Sequence, residues 1–280
     1  MVDRHAALNI EEDHNKVLSG EADSPMQYRP GAYLVAEGFR YAFKGNLIKA
    51  YYVERMLFSF TAGFVIFLFF RRFLTTGWAL AGVGWFYAIL PFTYQGYWLQ
   101  PADPINATFY ALAYLASASG LPLWITPLAA VGALFRETVI LLPVFNLIAE
   151  FGKRPIDRVL VRFIVGIGAT VFVIIAIQSI YGPRAHPDPW IMVGNNLKDS
   201  WRWIWGLIIL IGPSSALAIW GWRGLGTFHK RSLLFAAMFL IIHFIFGRFG
   251  ETRLYLPVLP LFILAALNGL KYQLGKNTEK

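Results

Sequence analysis

The chain has 280 residues, 57% of them hydrophobic and 15% charged, against about 25% charged residues in an ordinary soluble domain. A soluble chain of this size needs a charged surface over its core, and this one lacks the charge to make it, so lipid is the expected solvent for most of its mass. The net charge of +9 falls in short clusters after apolar runs, which argues against nucleic acid as a partner, and the lack of cysteine excludes disulfides, thiolate metal sites and a cysteine nucleophile.

Residues 1–30 form an acidic polar tail in which Asp3, Glu11, Glu12, Asp13, Glu21 and Asp23 outnumber Arg4, Lys16 and Arg29, with no apolar run of the signal-peptide kind. Within it, Glu11-Glu12-Asp13-His14 sets carboxylates beside a histidine, a combination that can serve as a general base or hold a divalent metal; a solvated tail is the alternative. Residues 31–50 read as an amphipathic segment in the membrane interface. There Glu37, Arg40 and Lys44 form a polar stripe at helical spacing, although a surface helix would show the same pattern.

A membrane helical domain follows over 51–272, and 273–280 form a basic C-terminal tail. Apolar runs predict about nine crossings: Met56 to Phe70, Trp78 to Trp98, Pro104 to Ala118, Leu121 to Phe135, Thr138 to Phe151, Val159 to Tyr181, Trp203 to Trp222, Ser232 to Phe249 and Leu254 to Leu270. The second ends in an aromatic belt of Phe92, Tyr94, Tyr97 and Trp98. Counting Leu121 to Phe151 as two short helices broken at Arg136 places Arg71-Arg72, Lys153-Arg154, Arg223 to Arg231 and the C-terminus on one side. The positive-inside rule makes that side cytoplasmic and leaves the N-terminus outside. Asp103, Arg136, Glu137, Glu251 and Arg253 then share the opposite face.

An Arg-Glu pair among thirty apolar residues is expensive unless each charge is paired or faces a wet cavity. Neighbours on a helix point about 100° apart, so Arg136 and Glu137 each need a separate partner, unless both sit at a helix end and snorkel. Glu251-Thr252-Arg253 opens the last span, where Pro257 and Pro260 release carbonyls that packing or water must satisfy; a plain interfacial anchor is the alternative. No phosphate loop, zinc signature or Ser-His-Asp order is present, and no fixed-period repeat favours an inverted-repeat transporter.

Four short runs occur in a characteristic order: Tyr28-Arg29-Pro30 after the acidic tail, Asp103-Pro104 opening a span, Arg136-Glu137-Thr138 between two short helices, and Glu251-Thr252-Arg253 before a proline-rich last span. In this order the chain, from Asp13 onward, resembles the GT-C superfamily of polytopic membrane glycosyltransferases. The resemblance implies an all-α helical bundle with an interfacial amphipathic helix, in a bacterial-type inner membrane. Its implied activity is sugar transfer from a polyprenyl-phosphate donor to an acceptor at the outer face. Asp13, with Glu12 as alternative, would be the base; Arg29, Asp103, Arg136, Glu137, Glu251 and Arg253 would bind substrate. In that family a membrane helix precedes the acidic loop; here a start that falls late, a membrane-protein partner that supplies the helix, or an acidic tail that crosses unaided would account for the difference. A non-catalytic membrane subunit and a transporter are the competing readings.

Overall fold

The computed structural model describes residues 4–93, 102–185 and 189–278. The described residues form thirteen α-helices: α1 (Arg4–Ser19), α2 (Pro30–Ala42), α3 (Leu47–Phe70), α4 (Thr76–Ile89), α5 (Ala102–Ala118), α6 (Ile125–Gly132), α7 (Leu141–Glu150), α8 (Ile156–Tyr181), α9 (Val193–Lys198), α10 (Ser200–Leu210), α11 (Gly212–Trp220), α12 (Thr227–Phe246) and α13 (Leu259–Thr278).

The fold is all-α, but the expected nine crossings are corrected. Three helices, α3, α8 and α12, are long and apolar enough to cross a membrane, and α10 with α11, bent by 52°, makes a fourth if counted as one span. At 1.5 Å per residue α4, α6 and α7 extend only about 21, 12 and 15 Å, short of the roughly 30 Å of a bilayer core. Leaving the helix at Arg136 limits α6, and Pro213 at the start of α11 removes a backbone donor where the bent pair turns. α13 carries Lys271, Tyr272 and Gln273 in its second half, which shortens its apolar stretch. In the second expected span the α-helix stops at Ile89, and Tyr94, Tyr97 and Trp98 of the belt lie outside the described residues.

The acidic tail is helical rather than merely solvated. α1 sits on α2 and α3, with Ile10, Val17, Tyr33, Ala36, Leu47 and Tyr51 forming a small core of their own. After α2 the chain reverses at Lys44 and Gly45, both with positive φ, and the Asn46 side chain accepts from the Lys49 N–H at 3.0 Å to cap α3. That cap starts α3 well before Met56 and draws Glu54 and Arg55 into the helix.

The main core is aromatic. Tyr114 meets Phe145 edge to face at 4.8 Å, Phe145 meets Phe235 at 5.2 Å, and Tyr110 meets Phe239 at 5.7 Å, so α5, α7 and α12 lock together through ring edges. The buried hydroxyls find carbonyls: Tyr110 donates to Thr138 O at 2.7 Å, and Tyr114 donates to Pro257 O at 2.9 Å. The second bond satisfies the carbonyl of Pro257, just ahead of α13. α11 and α13 touch through glycines, since a Cβ on Gly221 would lie 2.0 Å from the Gly269 Cα. α8 buries only Val159, Gly166, Thr170 and Ile177 of its 26 residues, a single stripe facing α6 and α7, while Ile164, Phe172 and Ile180 point outward.

The ends of the bundle differ in charge. At one end Phe73, just after Arg71-Arg72, stacks on Phe228 at 4.9 Å; the Lys153 ammonium lies 5.3 Å from the same ring, and Arg231 Nη1 donates to Ala149 O at 3.4 Å. At the other end Asp103 stands in the first turn of α5.

Candidate functional site

Arg29 lies between a 3-10 turn (Met26–Tyr28) and Pro30, the first residue of α2. The next residue docks this segment on the break between α6 and α7. Gly31 N–H donates to Leu134 O at 2.8 Å, an approach so close that a Cβ there would stand 2.9 Å from the same oxygen. In the break Arg136 is extended, then Glu137 opens a 3-10 turn (Glu137–Ile140) leading into α7. The two adjacent charges therefore diverge, and each has its own partner.

Glu137 accepts two bonds from Arg29: Nε to Oε2 at 2.8 Å, and Nη2 to Oε1. Arg136 Nη1 donates to Asp103 Oδ1, in the first turn of α5, where the helix dipole also favours a carboxylate. The other oxygen of Asp103 faces Arg253 Nη1 at 3.5 Å, and Arg253 grips Glu251 Oε2 through Nε at 3.1 Å and Nη2 at 2.5 Å. Arg253 stands in a further 3-10 turn (Thr252–Tyr255) ahead of α13. Six of the residues singled out in the sequence thus come together, from four segments, as three arginines and three carboxylates.

Five of them, Arg29, Arg136, Glu137, Glu251 and Arg253, line one cavity of about 820 Å³, with Asp103 behind them. Ile140, Leu141, Trp190, Ile242, Phe246 and Leu254 also line it, so ionic and apolar surface share one space. Arg136 Nε and Thr138 Oγ1 are buried without a hydrogen-bond partner among the described residues, and both residues line this space. Asp23 to Met26 form part of its wall and are tied to the end of α8. Ser24 N–H donates to Ala185 O at 3.1 Å; Tyr28 Oη donates to Gly182 O at 2.8 Å and accepts from Arg184 N–H at 2.9 Å.

Burial alone would raise the Glu137 carboxyl, but the charge and hydrogen bonds of Arg29 outweigh it and hold the group at about 2. Burial lowers the Arg136 guanidinium, and the neighbouring Arg29 and Arg253 push it the same way against Asp103 and Glu137. The three cations repel one another, and the carboxylates between them make the cluster tolerable.

Asp13 and Glu12 do not reach this cavity. Glu12 is exposed and pairs with Lys16 at 2.6 Å. Asp13 is half-buried on α1, where burial pushes its carboxyl up, Lys16 opposes and Glu12 adds to the rise. Among the described residues no three His, Asp or Glu side chains gather as a metal-binding group.

The sequence set His14 only beside its neighbouring carboxylates, and it passed over Glu54. His14 is fully buried, its Nδ1 2.8 Å from Tyr51 Oη and its Nε2 2.9 Å from Glu37 Oε2, so the neutral ring accepts from the phenol and donates to the carboxylate. Glu54 is fully buried with both oxygens lacking a hydrogen-bond partner among the described residues. His243 lines the cavity; its Nδ1 donates to Phe239 O at 2.9 Å, which fixes Nε2 as an acceptor. His243 was readable only as a histidine packed in an apolar helix, because nothing local marks which face meets the cavity. No protein-family model, no curated protein and no solved structure matches the chain.

Proposed function

We propose that this protein is a membrane glycosyltransferase of GT-C type that transfers a sugar from a polyprenyl-phosphate donor to an acceptor at the outer membrane face. The observation that carries the reading is the convergence of Arg29, Arg136 and Arg253 on one cavity that also has apolar lining. A lipid-linked sugar phosphate has the same division: an anion that wants guanidinium groups and a tail that wants hydrocarbon. The partnerless Arg136 Nε offers a first donor to a phosphate oxygen.

In the transfer, the acceptor oxygen attacks the anomeric carbon and gives its proton to a base, while the bond to phosphate breaks and its electron pair leaves on the phosphate. The arginines stabilise that growing charge. The family resemblance gives the role of base to Asp13, with Glu12 as alternative; Asp13 lies on α1 outside the cavity, and Glu12 is already tied to Lys16. The cavity itself presents His243 Nε2 as a second proton acceptor. Glu137, held by Arg29, is poorly basic.

One further reading has an observation behind it. All three arginines are already paired with carboxylates, so the network could serve only to hold segments together, as in a non-catalytic subunit. Assay of the purified protein with radiolabelled polyprenyl-phosphate sugars decides the matter. Transfer that Arg136→Gln and Asp13→Asn abolish, in variants that remain folded, is expected. Activity retained in Arg136→Gln would reject phosphate binding at the cluster, and co-purification of a stoichiometric partner with no transfer would favour the subunit.

A further inference from the structure

At the basic end of the bundle a second cavity, of about 610 Å³, opens where α3, α5 and α6 meet. Leu68, Leu112, Leu115, Leu121 and Leu128 give it apolar walls; Arg71, Arg72, Ser119 and Trp124 stand at its edge. From Asp103 to Ser119 the chain climbs roughly 24 Å of helix, so this groove lies far from the ion-pair cluster.

We infer that this groove binds one anionic phospholipid, its headgroup phosphate on Arg71 and Arg72 and an acyl chain along the leucines. Three observations select this occupant. Unlike Arg29, Arg136 and Arg253, neither Arg71 nor Arg72 has an ion-pair partner among the described residues, and both are exposed. Arg71 is held in place, because its Nη1 donates to Leu74 O at 3.1 Å, which leaves its remaining N–H groups for a ligand. Both arginines directly follow Phe70, the last residue of a 24-residue candidate span, and Trp124 beside them is an interfacial residue type; this is headgroup height. Basic groups at the mouth of an apolar groove between helices are the arrangement that takes acidic lipid headgroups. The inference does not depend on the transferase reading.

The test uses the full chain in detergent, with phosphatidylglycerol and phosphatidylcholine as probes, and reads retained lipid by native mass spectrometry and thermal stabilisation. Preferential retention of phosphatidylglycerol is expected. The double variant Arg71→Gln/Arg72→Gln should bind it about thirtyfold more weakly, and Arg71→Lys/Arg72→Lys should keep most of the preference. Leu115→Trp, which fills the groove and spares both charges, should also release the lipid. Equal retention of the two lipids, or phosphatidylglycerol binding unchanged in either the glutamine or the tryptophan variant, would overturn the inference.

Discussion

Asp103 serves two arginines at once, one with each carboxylate oxygen, and is itself nearly inaccessible. Asp103→Asn keeps the shape and removes the charge, leaving Arg136 and Arg253 buried together without their shared counterion. The expected loss of stability is about 3–5 kcal/mol, read as a lowered unfolding midpoint. Acid should act at two of the groups described. Burial lowers His14 from 6.5 despite Glu37, so the neutral ring stabilises the docked α1 above that value, and this contribution fades as pH falls below it. Glu137 lies near 2 in the folded chain and near 4.5 unfolded; its contribution is complete above 4.5 and is lost between there and 2. Unfolding midpoints measured from pH 7.5 down to 3 should therefore drop in two stages, and His14→Gln should remove the earlier one. These residues were unequally visible in the sequence. Arg136 and Glu137 stood out because charge amid thirty apolar residues is costly, whereas His14 showed only its neighbouring carboxylates, and its partners Glu37 and Tyr51 stay hidden until helix packing stacks three separated segments.

Close helix contacts set the next level. α11 meets α13 at Gly221 and Gly269, where no side chain intervenes and any Cβ on Gly221 collides with backbone rather than with a movable group. Gly221→Ala should cost at least about 3 kcal/mol, at the upper end of overpacking penalties, while Gly84→Ala, whose Cβ would meet nothing, should be close to neutral; thermal melts of the pair check this. Gly31→Ala would press on Leu134 O and Phe135, displace Arg29 from Glu137 and weaken any ligand held by Arg29. The order of the apolar runs was readable, and so was the break at Arg136. Helix length was not. Hydropathy counts apolar residues without asking whether they continue one helix, so the stop at Ile89 and the turn at Gly212-Pro213 passed unseen, as did the Asn46 cap that adds a turn and more to α3.

Across the molecule, arginine plays two parts: Arg29, Arg136 and Arg253 are paired with carboxylates around a cavity at one end, while Arg71 and Arg72 beside leucines at the other have no ion-pair partner among the described residues. The chain has no cysteine, so single cysteines placed at Arg72 and Glu251 report membrane sidedness without background. Labelling by an impermeant reagent from opposite sides is the expected outcome; labelling from one side would remove the topology on which the transferase proposal stands.

The segment from Asp23 to Arg29 joins two fastenings. Ser24 and Tyr28 bolt it to the end of α8, and the very next side chain, Arg29, clasps Glu137. Because one short stretch of backbone carries both, a shift of this part of the cavity wall away from α8 pulls directly on the Arg29 pairing with Glu137. Freeing Tyr28 from Gly182 and Arg184 would therefore loosen a wall of the cavity and one of its cations together.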